Sequence, residues 1–220
     1  MPHFYNKNLK YVLSVNLKVM YSTLIKQKSL KLIIQKKYEF NMILIKLSGH
    51  IKFYLLVRNP YDRLESFYKD KFINHPNTTA FSEGYNWQHS QKIFFPFFNI
   101  NLTDSFDTVR KRLPEISFSD FIRVLPHVYK RDAHLIPQYK VENIKMRSYV
   151  VARIKYDRVL KLENPETPDF LNSIGIDTVH KYNSTQHIPG HFHWDQESRE
   201  IVNTIYRQDF LKYDYQFLHS

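Results

Sequence analysis

A chain of 220 residues with 43% hydrophobic content is long enough to bury a core around a central sheet, and one domain over 1–220 is expected. It has no cysteine, which excludes a disulfide framework, thiolate metal sites and a cysteine nucleophile. Its 32 Lys and Arg against 21 Asp and Glu leave a net charge of +11, a field that gathers anionic ligands without specifying which.

Only four glycines occur, Gly49, Gly84, Gly175 and Gly190, so neither a Walker A loop nor a G-x-G-x-x-G fingerprint can be written. No run approaches the roughly 18 apolar residues of a membrane span. The opening MPHFYNKNLKYVLSVNLKV is broken by Lys and Asn before it reaches signal-peptide length. Together with the missing cysteines, this predicts a soluble, cytoplasmic protein without stable membrane insertion.

In chain order, residues 11–16 (YVLSVN) read as a short strand, and Ser22 and Thr23 then supply capping chemistry for a helix over 24–37. The apolar runs 42–47 and 52–57 resemble buried parallel strands, which need not alternate polar with apolar residues. Pro60 suits a first helical turn, and Leu64, Phe67, Tyr68 and Phe72 follow at helical spacing over 61–72. Residues from about 73 to 117, rich in Asn, Thr, Phe and Pro, predict an irregular insertion that could shape an acceptor cleft. A helix over 118–128 capped by Ser117 or Ser119, a strand over 156–162 and a closing helix over 195–211 complete the reading. Strands alternating with helices predict an α/β fold with a central parallel sheet flanked by helices, with ligands beyond the carboxyl ends of the strands.

Two junctions carry cations to those ends. The segment Arg58-Asn-Pro-Tyr-Asp-Arg63-Leu-Glu-Ser66-Phe-Tyr-Lys-Asp-Lys-Phe72 sets two guanidinium groups and a hydroxyl at a strand end and the first turns of a helix. Arginine's planar fork matches phosphate oxygens, and a helix start adds unpaired N–H groups. The alternative for these residues is a solvated basic turn with surface salt bridges. The segment resembles the 3′-phosphate-binding motif of the carbohydrate sulfotransferases, Arg-Asp-Pro followed by Arg, Ser and an aromatic, with Asn59 in place of the usual Asp. The resemblance implies a P-loop-like three-layer fold and 3′-phosphoadenosine 5′-phosphosulfate (PAPS) as cosubstrate, without a metal. Arg58 and Ser66 would contact the 3′-phosphate, and Arg63 would support the loop or add positive potential.

Upstream, Asn16-Leu-Lys18-Val-Met-Tyr-Ser22-Thr23-Leu follows the first predicted strand, as the 5′-phosphosulfate loop of the same family does. By that resemblance Lys18 meets the phosphosulfate and its bridging oxygen, and Ser22 and Thr23 donate to phosphate oxygens. Leu17 and Met20 stand where the family often has Pro and Gly, so the turn must form without glycine's freedom.

Softer landmarks follow in the family's order: Phe118-Ser-Asp-Phe-Ile, Asp132-Ala-His134-Leu-Ile-Pro137-Gln138, Tyr156-Asp157 to Glu163, Asn183-Ser184-Thr185 and Tyr206 to Phe210. The resemblance spans about 10–215. Animal members carry cysteines shortly after the H-x-x-P-Q landmark, so a cysteine-free chain fits a cytosolic, microbial relative better than a Golgi enzyme.

Sulfonate transfer needs a base for the acceptor hydroxyl. His134 stands first because Asp132 adjoins it, with His50, Glu39 and Glu163 as alternatives. His187, His191 and His193 in QHIPGHFHW invite a zinc reading, but no carboxylate or cysteine spacing completes a site. A loop hinged at Gly190 is the preferred reading there, with Lys181, Asn183 and Ser184 as cosubstrate contacts. Aromatics that stack on sugar faces and cations that pair with uronates point to a carbohydrate acceptor. The rivals are a degenerate nucleotide binder of the same fold, a P-loop kinase that lacks its glycines, and a nucleic-acid binder using the 16 Tyr and 17 Phe for stacking. The ordered motifs favour the enzyme, with no nucleic-acid partner.

Overall fold

Every residue of the strand Tyr11–Val15 is buried, which is why it reads as a continuous run rather than an alternating one. The computed structural model describes residues 2–33, 50–74, 87–146, 149–178 and 192–218. The chain divides into two compact units, Met1–Asn59 with Gln138–Ser184 and Pro60–Pro137 with Thr185–Ser220.

The first unit holds β1 (His3–Asn6), β2 (Tyr11–Val15), β3 (Lys31–Leu32), β4 (Lys52–Val57), β5 (Asn143–Met146), β6 (Tyr149–Arg153) and β7 (Arg158–Lys161). β5 and β6 pair as an antiparallel hairpin, and the other five form one sheet in the order β3-β1-β2-β4-β7. β2, β4 and β7 run parallel, while β1 is antiparallel to both its neighbours. The fold is therefore mixed α/β with a mainly parallel sheet. On one face Tyr11, Leu13 and Val15 of β2 pack with Leu24, Leu56, Leu160 and Leu171. Val12 and Phe53 pack instead with Ile144 and Ile154 at the hairpin.

The helix expected over 24–37 is corrected over 24–33, and its remainder, 34–37, lies outside the described residues. A single turn, Tyr21–Leu24, is followed by turns and then β3, whose Leu32 and Lys31 pair with Phe4 and Tyr5 of β1. The backbone edge of β1 offers inter-strand hydrogen bonds, and this tertiary pairing overrides the helical propensity of the Leu, Lys and Gln in the stretch. Gln27 Nε2 donates to the Asp177 carbonyl (3.1 Å) and Ser29 Oγ to the Gly175 carbonyl (3.4 Å), which ties the connection down. The strand expected over 42–47 lies outside the described residues.

β1 brings a titratable group into the core. His3 is 1% exposed, with Nδ1 2.6 Å from Ser14 Oγ, its register partner on β2. Burial pushes its imidazole from 6.5 down to about 3. The unfolded chain thus binds a proton that the folded chain refuses between those values. Stability is complete above pH 6.5 and declines as the pH falls through the window toward 3. At about pH 5 the loss is on the order of 2 kcal/mol. Urea midpoints for wild type and His3→Asn at about pH 7.5 and about pH 5 check this, and a slope unchanged in the variant would refute it.

The second unit is built on aromatic packing. The helix Pro60–Tyr68 runs into a π-helical stretch, Lys69–Asn74, and Leu64, Phe67, Tyr68 and Phe72 are all buried as the spacing predicts. Phe67 stacks on Phe121 (5.7 Å), and Phe72 meets Phe94 edge-on (5.3 Å). Residues 87–115, expected to be irregular, contain the short helices His89–Lys92, Phe95–Phe98, Phe106–Arg112 and Leu113–Glu115. Ile93, Phe94, Phe95, Val109 and Leu113 from this stretch are buried, so it contributes to the core of its unit. Phe118–Val128 is capped by Ser117, whose hydroxyl accepts from Asp120 N–H (3.1 Å). The single closing helix expected over 195–211 is two, Gln196–Ile205 and Arg207–Tyr213, broken at Tyr206, whose φ of −104° leaves the helical region. Asp195 caps the first, and hydrogen bonds from Ser198 and Ser119 push its carboxyl down to about 2.

Candidate active site

Parallel pairing sets the register Val15↔Leu56 between β2 and β4 and Val57↔Lys161 between β4 and β7. The three strands therefore end side by side, and the turns after them emerge at one edge of the sheet. Those turns carry Lys18, Arg58 and Glu163.

In the first turn the buried Asn16 accepts from Leu17 N–H (2.8 Å) through its own Oδ1, and Val19 N–H returns to the Asn16 carbonyl (3.2 Å). Lys18 and Met20 both take positive φ, 69° and 54°. A side chain in that region costs about 1–2 kcal/mol, so the turn forms without glycine but under strain. Ser22 was expected to cap the following helix; the N-cap is Met20, which makes no side-chain hydrogen bond, and Ser22 and Thr23 lie inside the helix. The N–H groups of Tyr21 and Ser22 consequently have no intrahelical partner.

The second turn joins the first. Arg58 Nη1 donates to the Lys18 carbonyl at 3.4 Å. Its peptide is gripped by Gln138, whose Oε1 accepts from Arg58 N–H (2.9 Å) and whose Nε2 donates to the Arg58 carbonyl (2.7 Å). Glu163, an exposed residue of the third turn, accepts from Asn59 N–H at 2.6 Å. Gln138 belongs to a landmark visible in the sequence, but its partner lies 80 residues away, and no local pattern announces such a pairing.

Arg63, Ser66 and His134 belong to the second unit. Arg63 is 1% exposed; its Nη1 donates to the Ile136 carbonyl (3.1 Å) and its guanidinium lies over the Tyr206 ring at 5.3 Å. Tyr206 in turn donates to the Leu135 carbonyl (2.7 Å), so two consecutive carbonyls of the Asp132 to Pro137 loop are held from beneath. Arg63 Nε and Nη2 make no hydrogen bond among the described residues. Ser66 is half-buried in the second turn of its helix.

His134 stands on that loop. Its Nδ1 is 2.7 Å from Asp132 Oδ1, which also accepts the His134 backbone N–H at 2.7 Å. Burial alone would raise the Asp132 carboxyl, but the hydrogen bonds and charge of His134 outweigh it and hold the group below the usual carboxylate range. Ser90 Oγ approaches the same ring nitrogen at 3.4 Å. Asp132 and Ser90 thus share Nδ1, which is not the order of a nucleophilic serine triad, where serine and carboxylate occupy opposite nitrogens. A donated Nδ1–H leaves Nε2 as the acceptor, the state a general base requires.

His50 precedes the amino end of β4 whereas Arg58 follows its carboxyl end, with the six residues of the strand, about 20 Å, between them. Glu39, Lys181, Asn183, Ser184, His187, Gly190 and His191 lie outside the described residues. Among the described residues no group of His, Asp and Glu could hold a metal ion, and no helix is long and apolar enough to cross a membrane.

A mainly parallel sheet with a lysine turn and an arginine turn at adjacent strand ends has the layout of an α/β protein that binds anionic ligands. The model of the sulfotransferase family matches residues 6–216, and the chain belongs to that family, whose activity is the transfer of a sulfonate group. No curated protein and no solved structure matches it.

Proposed function

We propose that this protein transfers a sulfonate group from PAPS to a hydroxyl of a carbohydrate acceptor. The observation that carries the reading is the contact between the Arg58 guanidinium and the Lys18 carbonyl, which makes one site of two cationic turns. The donor supplies a sulfonate carried on a phosphate leaving group, and 3′,5′-ADP is left after transfer. Lys18 offsets the charge that grows on the departing oxygen. His134, with Nδ1–H committed to Asp132, accepts the hydroxyl proton at Nε2 as the acceptor oxygen bonds to sulfur. Arg58 recognises the 3′-phosphate, and Arg63 supports the loop that carries His134.

The test is calorimetric titration with 3′,5′-ADP against 5′-AMP. Wild type is expected to prefer the 3′-phosphorylated nucleotide, and Arg58→Ala to lose about 10- to 100-fold of that preference through the missing charge-assisted hydrogen bonds. Equal affinities in the wild type would sink the cosubstrate assignment.

A further inference from the structure

We infer that Gln138 is a positioning residue that sets the aim of Arg58 and thereby the protein's discrimination for the 3′-phosphate. The inference rests on the cosubstrate reading above.

β4 loses its ladder at Val57, the last residue paired with β7. Arg58 follows that last laddered residue, and two residues later Pro60, first residue of the next helix, has no N–H to give. Gln138 supplies what a neighbouring strand would have supplied. Its carboxamide presents one acceptor and one donor at the spacing of a peptide group and meets the Arg58 N–H and carbonyl at 2.9 and 2.7 Å. The amide orientation is dictated, because the reverse would set carbonyl against carbonyl. Gln138 is 1% exposed, so water does not replace either bond when the carboxamide is removed.

The other side of the peptide group that carries the Arg58 carbonyl, the Asn59 N–H, donates to Glu163 at 2.6 Å. Two side chains from distant parts of the sequence thus fix consecutive peptide groups of a turn that contains no glycine. The guanidinium that this turn projects touches the lysine turn. A shift of the Arg58 backbone therefore displaces the cation from both halves of the site at once.

Two near-isosteric variants separate aim from packing. Q138M keeps the volume and removes both hydrogen bonds. Q138E keeps the acceptor but sets a carboxylate oxygen against the Arg58 carbonyl until the carboxyl is protonated, when its O–H becomes the missing donor. In Q138M the affinity for 3′,5′-ADP is expected to fall about tenfold, while that for 5′-AMP changes by less than about threefold. In Q138E the discrimination between the two nucleotides, taken relative to wild type at the same pH, is expected to recover as the pH is lowered from about 8 to about 5. A purely structural role would not produce that recovery.

Titration calorimetry of both nucleotides against the full chain, with a thermal melt of each variant, reads these outcomes. A wild type that discriminates together with a Q138M that discriminates equally overturns the role of Gln138 alone. A wild type that does not discriminate overturns the cosubstrate reading first. Should Q138M fail to fold, Q138E decides, because a pH-independent discrimination relative to wild type refutes the inference.

Discussion

Lys18→Ala is expected to lower kcat with PAPS by about 10²–10³-fold while KM for PAPS rises far less. The reason is timing. In the ground state the charge near the bridging oxygen is already shared over the phosphosulfate, and it becomes localised only as the bond to sulfur breaks, so an ammonium there stabilises the transition state more than the bound donor. The backbone offers a control: at φ 69°, Lys18 occupies a conformation that glycine adopts freely. Lys18→Gly therefore relieves strain while it removes the charge, and it should lose as much turnover as Lys18→Ala. Lys18→Arg should recover part of the rate, since charge is kept but the compact donor is not. Rates of 3′,5′-ADP release under saturating acceptor check this. A Lys18→Gly enzyme within about threefold of wild type would exclude leaving-group stabilisation at this position.

His134→Ala should cost about 10²–10⁴-fold in kcat, the range of a lost general base, and imidazole added to the medium should restore part of it. Asp132→Asn should cost less, because the ring remains in place but loses the carboxylate 2.7 Å from Nδ1 that fixes the tautomer. Ser90→Ala should change kcat little, since its hydroxyl shares that nitrogen at 3.4 Å with a closer and charged partner. Turnover in His134→Ala indistinguishable from wild type, or no response to imidazole in a crippled variant, would transfer the base to another residue.

The legible parts of the fold were those with strong local chemistry. Lys52–Val57 is a run of β-prone residues and is β4; Pro60 opens a helix; Ser117 caps one. The failures are as local in cause. Residues 31–32 belong to a strand because β1 presents an edge, and β1 itself, HFYN, is too short to separate from its surroundings by periodicity. The apparently irregular stretch before Ser117 is short helices because Phe94, Phe95 and Leu113 have an aromatic core to enter. Of the Phe and Tyr that raised a nucleic-acid reading, Phe67, Phe72, Phe94 and Phe121 are buried against one another.

The sequence by itself determined that Lys18 and Arg58 follow strands, because β-prone runs and turn chemistry act over a few residues. The tertiary structure decided that these two turns touch, that Gln138 holds the Arg58 peptide across 80 residues and that Glu163 holds Asn59 across 104. Such contacts depend on which strands pair and in what register, and pairing is settled by burial of the whole sheet rather than by any segment of it.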